Sequence, residues 1–204
     1  MTDLPALERY RTHAARLGKR FQDITSETVL RSITGHLPER PARILDVGAG
    51  SGRDACWFAV QGHDVTAVEP VQEMSRQADK LPGADRVHWI EDHLPGLTTL
   101  EGETFDFALL SGVWHHLTHA DRPRSFARLA SLLCPGGRLA LSLRMGPDTD
   151  GKTNVAIDTA ATIQQGRDAG LTLLHQASNA SSNPKNIALG VTWDWLVFER
   201  KERP

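Results

Sequence analysis

The stretch Arg43–Arg53, which reads RILDVGAGSGR, decides the fold of this 204-residue chain. Its first five residues form a short apolar run that predicts a β-strand, and three glycines spaced G-x-G-x-G follow directly. Such a tight turn needs residues that can adopt positive φ and let a ligand approach the backbone. The segment from about 53 to 61 is predicted to be a helix. This order is typical of the ligand-binding edge of an open α/β sheet.

Outward from this turn, short apolar runs alternate with helix-like stretches as far as residue 144. Further strands are predicted at 63–68, 87–90, 105–110 and 138–143, and helices near 71–80 and 121–133. Near-continuous apolar strands are typical of parallel sheets whose two faces are both covered by helices. Strand and helix repeated with short links predict right-handed crossovers. The sequence therefore predicts an α/β fold with a doubly wound, mostly parallel sheet.

The chain is predicted to form a single domain with three parts. Residues 1–41 are expected to be an N-terminal helical cap, 42–144 to carry the core motifs, and 145–204 to form a C-terminal, substrate-side region. In this last part we expect a helix near 157–168, strands near 171–175 and 191–199, and a Ser- and Asn-rich loop over 178–185. Trp193 and Trp195 share one face of the final strand, where they could pack in the core or line a substrate pocket.

Composition limits the kinds of partner that this chain is expected to bind. The net charge is -2, so there is no electrostatic case for wrapping a nucleic acid. The first ten residues contain no apolar run, and no segment approaches the roughly 20 apolar residues of a membrane span. Cys56 and Cys134 lie far apart and are expected to be free thiols. We predict a cytoplasmic monomer or homodimer without a membrane or nucleic-acid partner.

Acidic residues near the glycine turn indicate the kind of ligand. A dinucleotide fingerprint, G-x-G-x-x-G, would need a glycine at position 53, where this chain has Arg53. Asp46 stands just before the glycines, where a carboxylate suits an ammonium group better than a pyrophosphate. Glu69 ends the second strand about 20 residues further on, where an acid can accept both ribose hydroxyls. The pattern favours a nucleoside ligand that carries an ammonium group.

The segment from 43 to 144 resembles the class I S-adenosylmethionine (SAM)-dependent methyltransferases of small-molecule type. The matching motifs are 44–70, VHWIED at 87–92, FDFALLSGVWHHL at 105–117 and LLCPGGRL at 132–139, in the family's order and spacing. The resemblance implies a Rossmann-like sheet of seven strands, with helices on both faces and an antiparallel last strand. It also implies SAM as cofactor, S-adenosylhomocysteine (SAH) as its product, and methyl transfer to an oxygen, nitrogen or sulfur atom of a small molecule.

The resemblance assigns cofactor-binding roles to individual residues. The glycine turn is expected against the methionine part with Asp46 near its amino group, Glu69 on the ribose and Asp92 on the adenine amino group. Arg53 could pair with the cofactor carboxylate or form a surface salt bridge. Tyr10 could close over the cofactor or pack on an amphipathic helix. The full predicted set is Tyr10, Asp46, Gly48, Ala49, Gly50, Gly52, Arg53, Glu69, Pro70, Asp92, Ser111 and Trp114.

Histidines after the fourth strand supply the candidates for a catalytic base. Methyl transfer needs a base only when the nucleophile must lose a proton. Either His115 or His116 could serve, or both could be scaffolding, since adjacent side chains on a regular element point in different directions. His119 and His93 lie nearby in sequence, but these histidines lack an evident carboxylate or cysteine partner, so no metal site is predicted.

Other classes of function stay open at this stage. The stretch GPDTDGKT at 146–153 matches the P-loop pattern. However, Pro147 has no amide hydrogen, and Asp148 and Asp150 would repel phosphate, so we interpret it as a polar loop. A dinucleotide-dependent oxidoreductase is a less favoured alternative. A protein that binds SAM without catalysis, or that uses SAM for other chemistry, is another.

Overall fold

The computed structural model describes residues 4–147 and 154–201. Within these residues, seven strands form one sheet in the order β3-β2-β1-β4-β5-β7-β6. The strands are β1 (Arg43–Val47), β2 (Asp64–Val68), β3 (Val87–Ile90), β4 (Phe105–Leu110), β5 (Leu133–Met145), β6 (Leu171–Ala180) and β7 (Thr192–Arg200). Neighbours among β1–β5 pair in parallel, and β7 pairs antiparallel with both β5 and β6. The predicted sheet with an antiparallel last strand is confirmed.

Helices cover both faces of this sheet. They are α1 (Leu4–Thr12), α2 (Ala14–Gln22), α3 (Ser26–Leu30), α4 (Arg53–Val60), α5 (Gln72–Ser75), α6 (Asp121–Leu132), α7 (Thr159–Asp168) and α8 (Pro184–Ala188). Consecutive residues of β1 enter different cores: Ile44 packs with Phe58 of α4, and Leu45 packs with Phe126 of α6. Two buried faces explain why the central strands are apolar at nearly every position.

The strand order reverses between β1 and β4, and this reversal positions the candidate site. β2 and β3 continue outward on one side of β1, whereas β5, β7 and β6 continue beyond β4. The crossovers therefore diverge and leave a crevice at the carboxyl ends of β1 and β4. Open α/β sheets bind their ligands at such a point.

The structure differs from the sequence prediction in the C-terminal region. Of the loop expected over 178–185, only residues 181–183 lie between elements, because 178–180 are the end of β6 and 184–185 begin α8. Ser178 and Asn179 pair with β7, so the tertiary ladder overrides their preference for loops. Asn183 caps α8, because its side-chain oxygen accepts from the backbone N–H groups of Lys185 at 3.0 Å and Asn186 at 3.4 Å. The helix predicted at 71–80 is also shorter, since α5 passes into a 3-10 turn at Arg76–Ala78.

Most of the P-loop-like stretch, residues 148–153, lies outside the described residues. In the part of the chain that the structure describes, no helix has the length and apolar character required to cross a membrane.

Candidate functional site

A pocket of about 360 Å³ opens at the carboxyl ends of the parallel strands. Leu7, Tyr10 and Phe21 of the N-terminal helices line one side of it, and residues of β6, α8 and β7 line another. Its floor comes from the segments that follow β1, β2, β3 and β4. The pocket therefore occupies the crevice that the strand order creates.

The glycine turn after β1 forms part of the pocket floor. The N–H groups of Gly48 and Ala49 donate to the carbonyl of Val68 at 2.8 and 3.1 Å, which ties the turn to β2. Gly48 has a φ of 69°, and a Cβ atom there would lie 2.5 Å from Cγ2 of Val113. Gly48 and Gly50 line the pocket, whereas Gly52 does not. The position of Gly52 is fixed by packing, because a Cβ atom there would lie 2.5 Å from Cβ of Ala78.

Glu69 presents a firmly held carboxylate to the pocket. Its Oε2 accepts from the N–H of Gly50 at 2.8 Å, and its Oε1 accepts from the N–H of Val71 at 3.0 Å. Burial raises the pKa of Glu69 to about 7, although these two hydrogen bonds act in the opposite direction. Each carboxylate oxygen can accept a second hydrogen bond. Glu69 can therefore receive two further donors, one at each oxygen.

Asp46 carries an oxygen whose hydrogen bonding is incomplete. The residue is 2% exposed and lines the pocket at the end of β1. Its Oδ2 has no hydrogen-bond partner among the described residues. Burial raises the pKa of Asp46 well above its usual range, the nearby charge of Asp54 adds to this, and Arg53 opposes it. A buried oxygen without a donor is costly, so this atom favours a donor group supplied from within the pocket.

Arg53 forms a buried ion pair with Asp54, its neighbour in sequence. Nη2 of Arg53 lies 2.6 Å from Oδ2 of Asp54, and Nε lies 2.8 Å from Oδ1. The Ser26 hydroxyl donates to the same Oδ1 at 2.7 Å, and Nη2 of Arg53 also reaches the hydroxyl of Ser111 at 3.4 Å. The Arg53 side chain is only 18% exposed, so this is not the surface salt bridge considered from the sequence. Contact between Arg53 and a cofactor stays a prediction.

Sequence reasoning missed Asp54. Burial alone would raise the pKa of Asp54, but the Arg53 ion pair and the hydrogen bonds that it accepts hold that pKa below its usual value. An Arg-Asp pair at the start of an otherwise apolar helix was the available signal, since such charges are seldom buried unless paired.

Asp92 lies at the pocket after β3, with its carboxylate fixed by its own loop. Oδ1 accepts from the N–H of His93 at 2.7 Å, and Oδ2 accepts from the N–H and hydroxyl of Thr99 at 2.9 and 2.8 Å. Burial acts to raise the pKa of Asp92, but the hydrogen bonds from Thr99 and His93 hold it below its usual value. A second acceptor position remains on Oδ1.

Four aromatic side chains form a row along the pocket, which we call the ring row: Tyr10, His116, His115 and Trp193. Neighbouring ring centroids are 5.6 Å apart for Tyr10 and His116, 4.1 Å for His116 and His115, and 5.9 Å for His115 and Trp193. The Tyr10 hydroxyl lies 3.1 Å from Nε2 of His116. Burial, followed by the neighbouring His116, holds the pKa of His115 well below its usual range. His115 is therefore uncharged at neutral pH.

Trp114 does not lie where the sequence prediction expected it. Its side chain is fully buried in the core, with its ring centroid 4.7 Å from that of Phe126, and it does not line the pocket. The 3-10 helix Trp114–His116 explains this, because it directs Trp114 inward while its neighbours Val113 and His115 face the pocket. The other predicted residues apart from Gly52, including Pro70 and Ser111, do line it.

The C-terminal wall of the pocket was largely missed from the sequence. It includes Ser142, Arg144, Asn179, Asn186, Trp193 and Trp195. Of these residues, only the two tryptophans were candidates from the sequence, because they alternate along the last strand and so share one of its faces. Among the described residues, no group of three or more His, Cys, Asp and Glu side chains could hold a metal ion.

Three carboxylates at the ends of β1, β2 and β3 thus lie beside a glycine turn at the reversal of strand order. The order and directions of the strands are those that the resemblance to Rossmann-like methyltransferases implies. In agreement, residues 44–137 match the family described as a methyltransferase domain. The resemblance to class I SAM-dependent methyltransferases is confirmed, and the match to this domain family covers 94 of the 204 residues.

A relative in Mycobacterium tuberculosis strain H37Rv, described as an uncharacterized methyltransferase, supports this assignment. It is 34% identical over 108 residues, which are 52% of this chain and 41% of the relative. The chain thus matches about two fifths of the length of this curated relative.

Solved structures share the fold over nearly the whole chain. The 1,6-didemethyltoxoflavin-N1-methyltransferase of Burkholderia thailandensis, solved with 1,6-didemethyltoxoflavin and S-adenosylhomocysteine, has a TM-score of 0.73 at 23% identity, with 97% of this chain and 88% of that one covered. A TehB-like SAM-dependent methyltransferase from Corynebacterium glutamicum has a TM-score of 0.67 at 23% identity, with coverage of 98% and 100%. These likenesses establish the fold.

Proposed function

We propose that this protein transfers a methyl group from SAM to an oxygen, nitrogen or sulfur atom of a small molecule. The observation that carries the proposal is the line of pocket carboxylates at the ends of β1, β2 and β3. These are Asp46, Glu69 and Asp92, and each retains an acceptor position that the described residues do not fill.

SAM carries hydrogen-bond donors that suit each of these three carboxylates. The buried Oδ2 of Asp46 suits the ammonium group, because a cation would supply both the missing donor and a compensating charge. Glu69 can accept one ribose hydroxyl at each of its oxygens. Oδ1 of Asp92 can accept from the adenine amino group. When bound, SAM supplies a methyl group on a sulfonium centre that is activated for displacement.

The contribution of the protein to such a reaction is mainly positioning. Holding two reactants in line converts a bimolecular step into an effectively unimolecular one. Tyr10 and Phe21 line one side of the pocket, where their rings would limit the access of water to bound reactants. Where the acceptor must lose a proton, we propose His116 as the base rather than His115. The low pKa of His115 makes it a weak base, whereas His116 is half-buried and oriented by its contact with Tyr10.

Binding measurements test the cofactor assignment. We expect SAM and SAH to bind with micromolar affinity in isothermal titration calorimetry, and Asp46→Ala or Glu69→Ala to weaken binding at least tenfold, or roughly 1.4 kcal/mol. Glu101→Ala, which removes an exposed acid that does not line the pocket, is the matched control. If neither compound binds to the wild-type protein, the proposal is wrong.

Product analysis separates methyl transfer from other uses of the same site. Incubation with methyl-labelled SAM and a metabolite panel should move the label into a product and release SAH. Label that never leaves SAM would favour a protein that binds SAM without catalysis. Consumption of SAM without a methylated product would indicate other SAM chemistry, and binding of NAD would favour an oxidoreductase.

We also propose that the protein acts in the cytoplasm as a monomer or homodimer and does not use nucleic acid as substrate. The free thiols of Cys56 and Cys134 support a reducing compartment, and the net charge of -2 argues against a polyanionic partner. Light scattering on the purified chain would give its oligomeric state, and a gel-shift assay with duplex DNA would reveal nucleic-acid binding.

A further inference from the structure

We infer that the methyl acceptor is a flat aromatic or heteroaromatic molecule with hydrogen-bonding oxygen or nitrogen atoms on its rim, and that it stacks in the pocket on Trp193. This inference rests on the proposed function. If the three carboxylates at the ends of β1, β2 and β3 hold the cofactor, the acceptor must occupy the part of the pocket beyond β4, over β5, β7 and β6.

Trp193 lies at the centre of this part of the pocket wall. In the sheet register it is opposite Arg144 of β5 on one side and Asn179 of β6 on the other. Directly opposed residues of antiparallel strands project from the same face, and all three of these residues line the pocket. A Cβ atom on Gly112 would lie 3.8 Å from Cη2 of Trp193, so the indole reaches the carboxyl end of β4. The indole therefore borders the point where the two halves of the pocket meet.

The ring row extends this aromatic surface toward the cofactor side. From Trp193 it passes through His115 and His116 to Tyr10, with each ring in contact with the next. Aromatic rings favour offset-stacked or edge-to-face neighbours, which a flat ligand can supply and a saturated ligand cannot. The four rings therefore form a continuous line of aromatic contacts from Trp193 of the C-terminal wall to Tyr10 on the side of the N-terminal helices, and a planar acceptor can pack against its ring faces and edges.

The polar groups of the C-terminal wall indicate which kinds of atom the rim of the acceptor should carry. Among the described residues of β5, β6, α8 and β7 that line the pocket, none is Asp or Glu, whereas Lys185 and Asn179 carry hydrogen-bond donors. Arg144 adds a positive charge, although it already donates to the carbonyls of Gly146 and Pro147, and the Asn186 amide donates to the hydroxyl of Ser181. Nδ1 of His115, a residue only 6% exposed, has no partner among the described residues. A heteroatom or hydroxyl on the acceptor would satisfy it. This wall favours a neutral or anionic acceptor over a cationic one.

A set of four probes tests the inference on the SAH-saturated protein. Two are flat and uncharged or anionic, 4-quinolone and 2-naphthoate. The third, decahydro-2-naphthoate, keeps the charge but is saturated, and the fourth, 2-naphthylmethylammonium, keeps the ring system but is cationic. We expect calorimetric or ligand-observed NMR titrations to show that the first two bind at least tenfold more tightly than the others. Trp193→Leu should weaken their binding about tenfold, while Trp193→Phe should preserve most of it.

Two controls distinguish failure of this inference from failure of the proposed function. Trp57→Leu removes a tryptophan outside the pocket and should leave probe binding unchanged. SAH affinity should change less than about twofold in each Trp193 variant, which also verifies folding. If wild-type protein binds SAH but binds all four probes equally or not at all, the inference is overturned. If SAH itself fails to bind, the proposed function is wrong.

Discussion

Glu69 shows how a single residue can couple ligand binding to pH. Burial raises its pKa to about 7, so both protonation states of Glu69 are populated in the ligand-free protein near neutral pH. Ribose hydroxyls would donate to the ionised form, so binding favours loss of the proton. SAH affinity should therefore fall as the pH drops below about 7, approaching tenfold per pH unit at most.

Calorimetry measures this coupling directly. Titration of SAH at pH 6.5 in buffers with different ionisation enthalpies should reveal proton release, and the release should decrease in Glu69→Gln. An affinity that stays constant between pH 6 and pH 8 would contradict this role for Glu69.

Asp46 is a residue whose expected role in binding opposes the stability of the folded protein. Burial raises its pKa well above the usual range, so the folded state binds a proton that the unfolded state releases above about pH 4. Folding stability due to this group therefore falls as the pH rises from about 4 toward the folded-state pKa. Asp46→Asn removes this penalty, while it also removes the charge expected to bind the ammonium group.

We thus expect Asp46→Asn to gain thermal stability relative to the wild type as the pH is raised from 5 to 8, in scans of ligand-free protein. The same variant should bind SAH at least tenfold more weakly, which is roughly 1.4 kcal/mol. If the wild type instead gains stability relative to Asp46→Asn as the pH rises, Asp46 is not the source of the penalty.

At the scale of elements, the cap of α8 supports the acceptor side of the pocket. Asn183 accepts from two backbone N–H groups at the start of this five-residue helix, and Asn186 and Leu189 of the same segment line the pocket. Asn183→Ala should reduce the free energy of unfolding by about 1 kcal/mol and increase hydrogen exchange in α8. Asn183→Asp retains the acceptor oxygen and is the control. SAH affinity should not change, because the three carboxylates proposed to bind the cofactor come from the ends of β1, β2 and β3 and not from α8.

The elements also show how far sequence reasoning extends. The acids of the candidate site were predictable, because alternating strands and helices determine which residues follow the carboxyl end of each parallel strand. The limits of β5 were not predictable: it begins at Leu133, which pairs with Phe105, although Pro135 and the glycines after it favour a turn. Likewise, Asp54, Arg144 and Asn179 reach the pocket only through tertiary packing. No local pattern indicates which distant segment a side chain will face.

At the scale of the whole molecule, stability depends on two cores separated by one sheet. Ile44 and Leu45 are adjacent in β1, both are 0% exposed, and they pack on opposite faces. Ile44→Ala and Leu45→Ala should therefore each cost about 2–5 kcal/mol in urea denaturation. Val60→Ala, at an exposed position, should stay within about 0.5 kcal/mol of the wild type. A large cost for only one of the two core changes would show that one face of the sheet is loosely packed.

The antiparallel direction of β7 has a consequence for how this protein could be re-engineered. Because β7 starts at the edge where β6 ends, the segment 178–195 contributes most of the C-terminal wall as one continuous stretch of chain. The three carboxylates come from a separate stretch, 46–92. The residues proposed to contact the cofactor and most of the wall proposed to contact the acceptor thus come from different parts of the sequence. Exchanging codons 178–195 between homologues should yield chimeras that keep one methyl donor while sampling new acceptors.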